Sequence, residues 1–209
     1  MGADGNLWWT GEGSSPAMGD ITTAGHISEF PPMTGPPFLE PGDEIVLGPD
    51  HNIWFGNEGP SIGIGQITPA GTVSIVDAAS GLPTDDQVNG MAAGPDGNVW
   101  VTLSGPTPAI GRSTPSGTLT VFGTSAGLNA DADLAAIVLG PDGNLWFTDF
   151  GLYPAIGRVT PAGQITEFGA AAGMDSAAYP TAMVAGPDGN LWLTDSGSPP
   201  AVGRITPQG

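Results

Sequence analysis

The groups with which this chain could do chemistry are 21 carboxylates, two histidines and three arginines, with no lysine and no cysteine. Carboxylates offer hard oxygen ligands to Ca²⁺ or Mg²⁺, and a carboxylate or histidine can act as a general base if it reaches the proton it removes. Without cysteine there is no disulfide, no thiolate metal site and no thiol nucleophile. The acids are spread over Gly- and Pro-rich segments such as "PTDDQ" (83–87) and "NADAD" (129–133). Their spacing does not match an EF-hand loop, so a solvated acidic loop is the plain reading and a Ca²⁺ or Mg²⁺ site the sharper one.

The net charge of −18 excludes nucleic acid as a partner, because neutralising phosphates requires a basic stripe. No apolar run approaches the roughly 20 residues of a membrane-spanning helix. The opening "MGADGNLWW" has neither a basic nor an apolar leader segment. A soluble chain is expected, with compartment open and an extracytoplasmic location compatible.

What must position these groups is a repeat. Trp8, Trp54, Trp100, Trp146 and Trp192 follow one another at steps of 46 residues, as do Asp4, Asp50, Asp96, Asp142 and Asp188 and a third series from Gly19 to Gly203. A fixed period of this length marks a solenoid or propeller. Each unit reads as four short strands: an apolar run such as "AAIVL", a Pro-Asp-Gly turn, "NLWFT" with apolar residues on both faces, "AIGRVT", a second turn such as "TPAG", and "QITEF". Pro presets φ and Gly permits φ > 0 in such turns, and strands buried on both faces need neighbours on both sides. The expected fold is an all-β propeller of five 46-residue blades, with units starting near 2, 48, 94, 140 and 186. It spans 1–209 as one domain, with 18 strands and incomplete first and last blades. The tryptophans are expected to pack between blades, and the aspartates to bond the turn backbone.

Residues 140–168, "GPDGNLWFTD...AIGRVTPAGQITEF", resemble the repeat of the virginiamycin B lyase, or streptogramin lyase, family. The resemblance implies a propeller of about seven blades and a metal-assisted ring-opening elimination on a cyclic depsipeptide, with a histidine base and Mg²⁺-holding carboxylates on one face. The catalytic pattern does not carry over. His51 replaces the turn glycine of "GPDG", and His26 opens a fourth strand in "AGHISEF".

Strand alternation divides the connections between two faces. The "GPDG" and "TPAG" turns share a uniform face, and the loops between strands two and three and between blades share a variable one. A binding site is expected on the variable face, with Glu12, Glu58, Asp85, Asp86, Asp131, Asp133, Phe150, Tyr153 and Tyr179 as candidates. Glu44, where other units carry Gly90, Ala136 and Ala182, is the candidate for a central channel. Arg204 and Asp20 occupy matching positions in the last and first units and are the candidate pair at an assembly seam. No catalytic residue and no cofactor is expected. The leading expectation is a non-catalytic scaffold that self-associates through open blade ends. A metal-dependent lyase of the resembling type and a glycan- or peptide-binding module are the alternatives.

Overall fold

The computed structural model describes residues 1–11, 17–30, 41–57, 63–76, 81–83 and 86–209. These form five antiparallel sheets in chain order, each a meander of consecutive strands. Blade 1 holds β1 (Leu7–Gly11), β2 (Ala17–Ile21) and β3 (Ile27–Phe30). Blade 2 holds β4 (Pro41–Leu47), β5 (Ile53–Asn57), β6 (Gly63–Ile67) and β7 (Val73–Val76). Blade 3 holds β8 (Gln87–Ala93), β9 (Val99–Ser104), β10 (Ala109–Ser113) and β11 (Leu119–Phe122). Blade 4 holds β12 (Leu134–Leu139), β13 (Leu145–Asp149), β14 (Ala155–Val159) and β15 (Ile165–Phe168). Blade 5 holds β16 (Pro180–Ala185), β17 (Leu191–Asp195) and β18 (Ala201–Ile205). The fold is the β-propeller that the repeat predicts, with the first strands of successive blades lying side by side.

The Pro-Asp-Gly turn is a self-contained hydrogen-bonded unit. In blade 4 the Gly140 N–H donates to the Asn144 carbonyl at 2.8 Å, and Gly143 takes φ 76°. Asp142 Oδ1 accepts from the Asn144 N–H at 3.2 Å and from Trp146 Nε1 at 3.0 Å, and Oδ2 accepts from Asn144 Nδ2 at 2.7 Å. The aspartate therefore satisfies the turn and the indole together, which lets the tryptophan be buried without an orphaned N–H. Gly140 is required by the same packing, since a Cβ there would lie 2.4 Å from the indole ring. Burial tends to raise the carboxyl of Asp142, but the Asn144 and Trp146 donors outweigh it and hold it below the usual aspartate value.

Trp54, Trp100 and Trp146 are fully buried between blades. Trp100 and Ile110 of blade 3 pack on Leu145, Phe147, Val159 and Ile165 of blade 4, and Trp146 and Ile156 of blade 4 pack on Met183, Leu191 and Leu193 of blade 5. A fourth-strand phenyl stacks on the indole at 5.5 Å in the Trp100–Phe122 pair and at 5.6 Å in Trp146–Phe168. Arg112 and Arg158 lie over these rings and donate to the next blade, to the carbonyls of Pro161 (2.8 Å) and Pro207 (3.1 Å). Gln66 makes the same bridge to Pro115 at 3.2 Å. One arginine thus covers the aromatic pair and ties two blades.

Candidate functional site

On the variable face, loops of blades 3, 4 and 5 surround an open cleft of about 770 Å³. Its geometry begins with Asp149, the last residue of β13, whose Oδ1 accepts the N–H groups of Asp133 and Gly151, each at 2.8 Å. The loop after β13 is thereby laid on the loop before β12. Phe150 N–H donates to the Asp133 carbonyl at 2.9 Å, and Leu152 N–H to that of Asp131 at 3.3 Å. Gly151 permits this approach, because a Cβ would lie 2.2 Å from the Asp131 carbonyl oxygen. Asp195 repeats the device in blade 5, its Oδ1 accepting from Tyr179 N–H at 2.6 Å and Gly197 N–H at 2.8 Å. These two clamps bring Phe150 and Tyr179 together with ring centroids 4.5 Å apart.

Beneath the loops lies a pair of carboxyls. Asp149 is fully buried and Glu167, on β15, is half-buried. Glu167 Oε2 accepts the Asn129 N–H at 3.1 Å. The remaining oxygens, Asp149 Oδ2 and Glu167 Oε1, are buried with no other donor. Two such groups cannot both ionise cheaply, so one proton shared between them satisfies both. Burial, followed by the Asp149 charge, pushes the Glu167 carboxyl up to about 7. Asp149 is raised chiefly by burial, against the opposing donors from Gly151 and Asp133.

The cleft is lined by Asp131, Asp133, Phe150 and Tyr179, four of the residues expected there, together with Gln87, Asn89, Ser104 and Leu152. Asn89 Nδ2 and Ser104 Oγ both donate to the Leu134 carbonyl, at 2.9 and 2.8 Å, tying blade 3 to blade 4 at the cleft wall. Tyr153 is exposed on the same loop and does not line the cleft. Asp86 is buried, and its carboxylate accepts from the N–H (3.2 Å) and Oγ1 (2.9 Å) of Thr107, so it staples a loop. Glu12, Glu58 and Asp85 lie outside the described residues.

Glu44 sits half-buried where the β4–β5 register shifts between Pro41 and Ile45, its carboxyl raised by burial and by Asp43. Small residues occupy this position elsewhere because the neighbouring strand is close: a Cβ on Gly90 would lie 2.5 Å from the Ala135 carbonyl oxygen. Arg204 and Asp20 are not brought together. Asp20 is buried and accepts from Asn6 Nδ2, while Arg204 is exposed and lies 5.8 Å over Trp192.

Both histidines are on turns of the uniform face, opposite the cleft. His51 adopts φ 67° at the turn glycine position, and His26 N–H donates to Thr22 Oγ1 at 3.1 Å. The cleft therefore has carboxyls as its acid–base groups. Among the described residues no three His, Asp or Glu side chains converge on a point. Asp149 and Glu167 are engaged with backbone N–H groups and with each other. The described residues thus do not form a cage for Mg²⁺ or Ca²⁺.

Among the described residues no helix is long and apolar enough to cross a membrane. The family model for the virginiamycin B lyase family matches residues 82–209. No curated protein matches this sequence. Among solved structures, a catalytically inactive variant of virginiamycin B lyase from Staphylococcus aureus, with quinupristin, is 29% identical, with a TM-score of 0.77 over 99% of this chain and 68% of that one. A streptogramin B lyase structure is 25% identical, with a TM-score of 0.74 over 98% of this chain and 66% of that one. The chain thus spans about two thirds of the length of these lyases. A structure described as a putative gluconolactonase shares the fold at 19% identity and a TM-score of 0.66, covering 99% of this chain and 72% of that one. With its repeat, its blade geometry and a family match over more than half its length in agreement, the chain belongs to the virginiamycin B lyase family.

Proposed function

We propose that this chain is a non-catalytic, ligand-binding member of the family whose variable-face cleft takes a glycan or a short peptide. The observation that carries the reading is the Phe150–Tyr179 pair at 4.5 Å, set beside the amides of Gln87 and Asn89 and the carboxylate of Asp131. Aromatic faces supply apolar contact area at low entropic cost, and amides and carboxylates fix hydroxyl or peptide N–H groups. The histidines point to the same reading, since neither turn that carries one borders the cleft. Calorimetric titration with a panel of soluble oligosaccharides and peptides tests it. A binder whose affinity falls at least tenfold in Tyr179→Ala supports the cleft; no binder, or one indifferent to that change, sinks it.

One observation favours a second reading as a lyase: the Asp149–Glu167 pair places a carboxyl of pKa about 7 beneath the cleft, the range in which a general acid–base works at neutral pH. Incubation with a cyclic depsipeptide such as quinupristin and Mg²⁺, followed by chromatography for the ring-opened product, decides between the two. Ring opening that disappears in Glu167→Gln would replace the binding reading with the catalytic one.

A further inference from the structure

We propose that the variable-face cleft selects a ligand carrying an ammonium or guanidinium group, seated on the Phe150–Tyr179 pair against the carboxylates of Asp131 and Asp133. This inference rests on the binding reading above and narrows its ligand to a basic peptide. The chain itself shows how it holds a cation. In blade 3 the Arg112 guanidinium lies 5.5 Å from the Trp100 ring centroid and 5.4 Å from that of Phe122, with Asp96 Oδ2 3.8 Å from its Nη1. An aromatic pair and a carboxylate thus flank one positive group. The cleft repeats the aromatic pair and the carboxylates, at 4.5 Å between the Phe150 and Tyr179 centroids, but its described lining holds no cationic side chain. All three arginines of the chain lie elsewhere, over the indoles of Trp100, Trp146 and Trp192.

The hydrogen-bonding inventory of the cleft wall agrees. The N–H groups of Asp131, Asp133, Phe150, Gly151 and Leu152 all donate within the protein, that of Asp131 to Asn129 Oδ1 at 3.1 Å and the others to Asp149 or to the Asp131 and Asp133 carbonyls. The wall's peptide donors are therefore committed, whereas the Asp131 and Asp133 carboxylates accept no hydrogen bond among the described residues. Free acceptors call for a ligand group that only donates, and a lysine ammonium or an arginine guanidinium is such a group. The floor points the same way. Asp149 is fully buried under this wall, and its Oδ2 has no donor besides the proton shared with Glu167, so the pair adds negative charge. An anionic ligand would meet repulsion there, and a neutral one would desolvate carboxylates without pairing them.

Two probes test the proposal on the 209-residue chain, the tripeptides Gly-Lys-Gly and Gly-Gln-Gly, each acetylated and amidated so that the lysine carries the sole charge. Binding is followed by amide NMR shifts, which also report where the probe sits. The lysine peptide should bind at least tenfold more tightly than the glutamine peptide and move the amides of residues 129–133 and 150–152. Asp131→Asn, on an exposed side chain, should weaken the lysine peptide at least fivefold and leave the glutamine peptide unchanged. Because a net charge of −18 attracts any cation, Glu29→Gln, which removes an exposed charge in blade 1, is the control and should alter neither. Equal affinities, or indifference to Asp131→Asn while Tyr179→Ala still weakens binding, overturn the cationic ligand and leave the cleft standing. A lysine preference that survives Tyr179→Ala and falls equally in Glu29→Gln is nonspecific attraction and overturns both. If neither peptide binds, the inference fails, and the oligosaccharide panel alone then decides the binding reading.

Discussion

The two faces of this propeller use the same side chains to opposite ends. On the uniform face, Asp96 and Asp142 are surrounded by donors, namely a turn N–H, an asparagine amide and an indole N–H, and burial is outweighed so that their carboxyls stay low. On the variable face, Asp149 and Glu167 are buried beside each other, and the balance reverses. A carboxylate with three donors is a structural anion, and a carboxyl that must share a proton with its neighbour is a titrating group. The difference separates the part of the repeat that builds blades from the part that can respond to a ligand or to pH.

The largest effect that can break this division comes from aromatic truncation. Trp146→Ala removes a fully buried indole between blades 4 and 5 and one of the two donors to Asp142 Oδ1. A loss of about 3–5 kcal/mol is expected, read from the midpoint of urea unfolding. Tyr179→Ala, on an exposed ring at the cleft, should change stability by no more than about 0.5 kcal/mol. Comparable losses at the two sites would erase the distinction between a packing face and a binding face.

How much of this could be read beforehand follows the same division. The 46-residue step placed one tryptophan and one turn aspartate in each blade, because the pair performs the same local task each time and so recurs in the text. The Asp149–Glu167 pair recurs nowhere in full. The corresponding positions are Asn57 and Ile75 in blade 2, and Leu103 and Val121 in blade 3. Its two members are 18 residues apart and meet only through strand register, with Ala155 opposite Asp149 and Gly157 opposite Glu167. Searching the aligned units for carboxylates at both positions would have singled out blade 4. Asp86 shows the converse: its burial against Thr107 was not legible, because a buried loop staple and a solvated loop acid have the same letter and the same neighbours.

An intermediate effect sharpens the electrostatic half of the comparison. Glu167 is raised from 4.5 to about 7 in the folded chain, so between those values the folded state holds a proton that the unfolded state releases. Stability then falls as pH rises through this window and levels above it, by on the order of 2 kcal/mol. Glu167→Gln keeps a donor for Asp149 at every pH and should flatten that slope. The uniform-face aspartates act in the opposite sense: their contribution is full above the ordinary aspartate value and is lost as pH falls below it. Unfolding midpoints from pH 4 to 8 for both proteins check this, and equal slopes would show that the pair does not titrate as a unit.

The smallest effect tests whether the uniform face tolerates exceptions. His51 stands where Gly97, Gly143 and Gly189 take φ of 78°, 76° and 74°, and it is held at φ 67°. A side chain with a Cβ is strained in the left-handed region by about 1 kcal/mol relative to glycine. The Asn52 and Trp54 donors still bind Asp50 in that turn, at 3.2 Å from the backbone N–H and 3.0 Å from the indole, so the strain is borne without breaking the unit. His51→Gly should therefore raise stability by about 1 kcal/mol, less whatever glycine adds to the entropy of the unfolded chain, and leave cleft binding unchanged. If binding falls instead, the imidazole serves the variable face from a distance, and the separation of the two faces is incomplete.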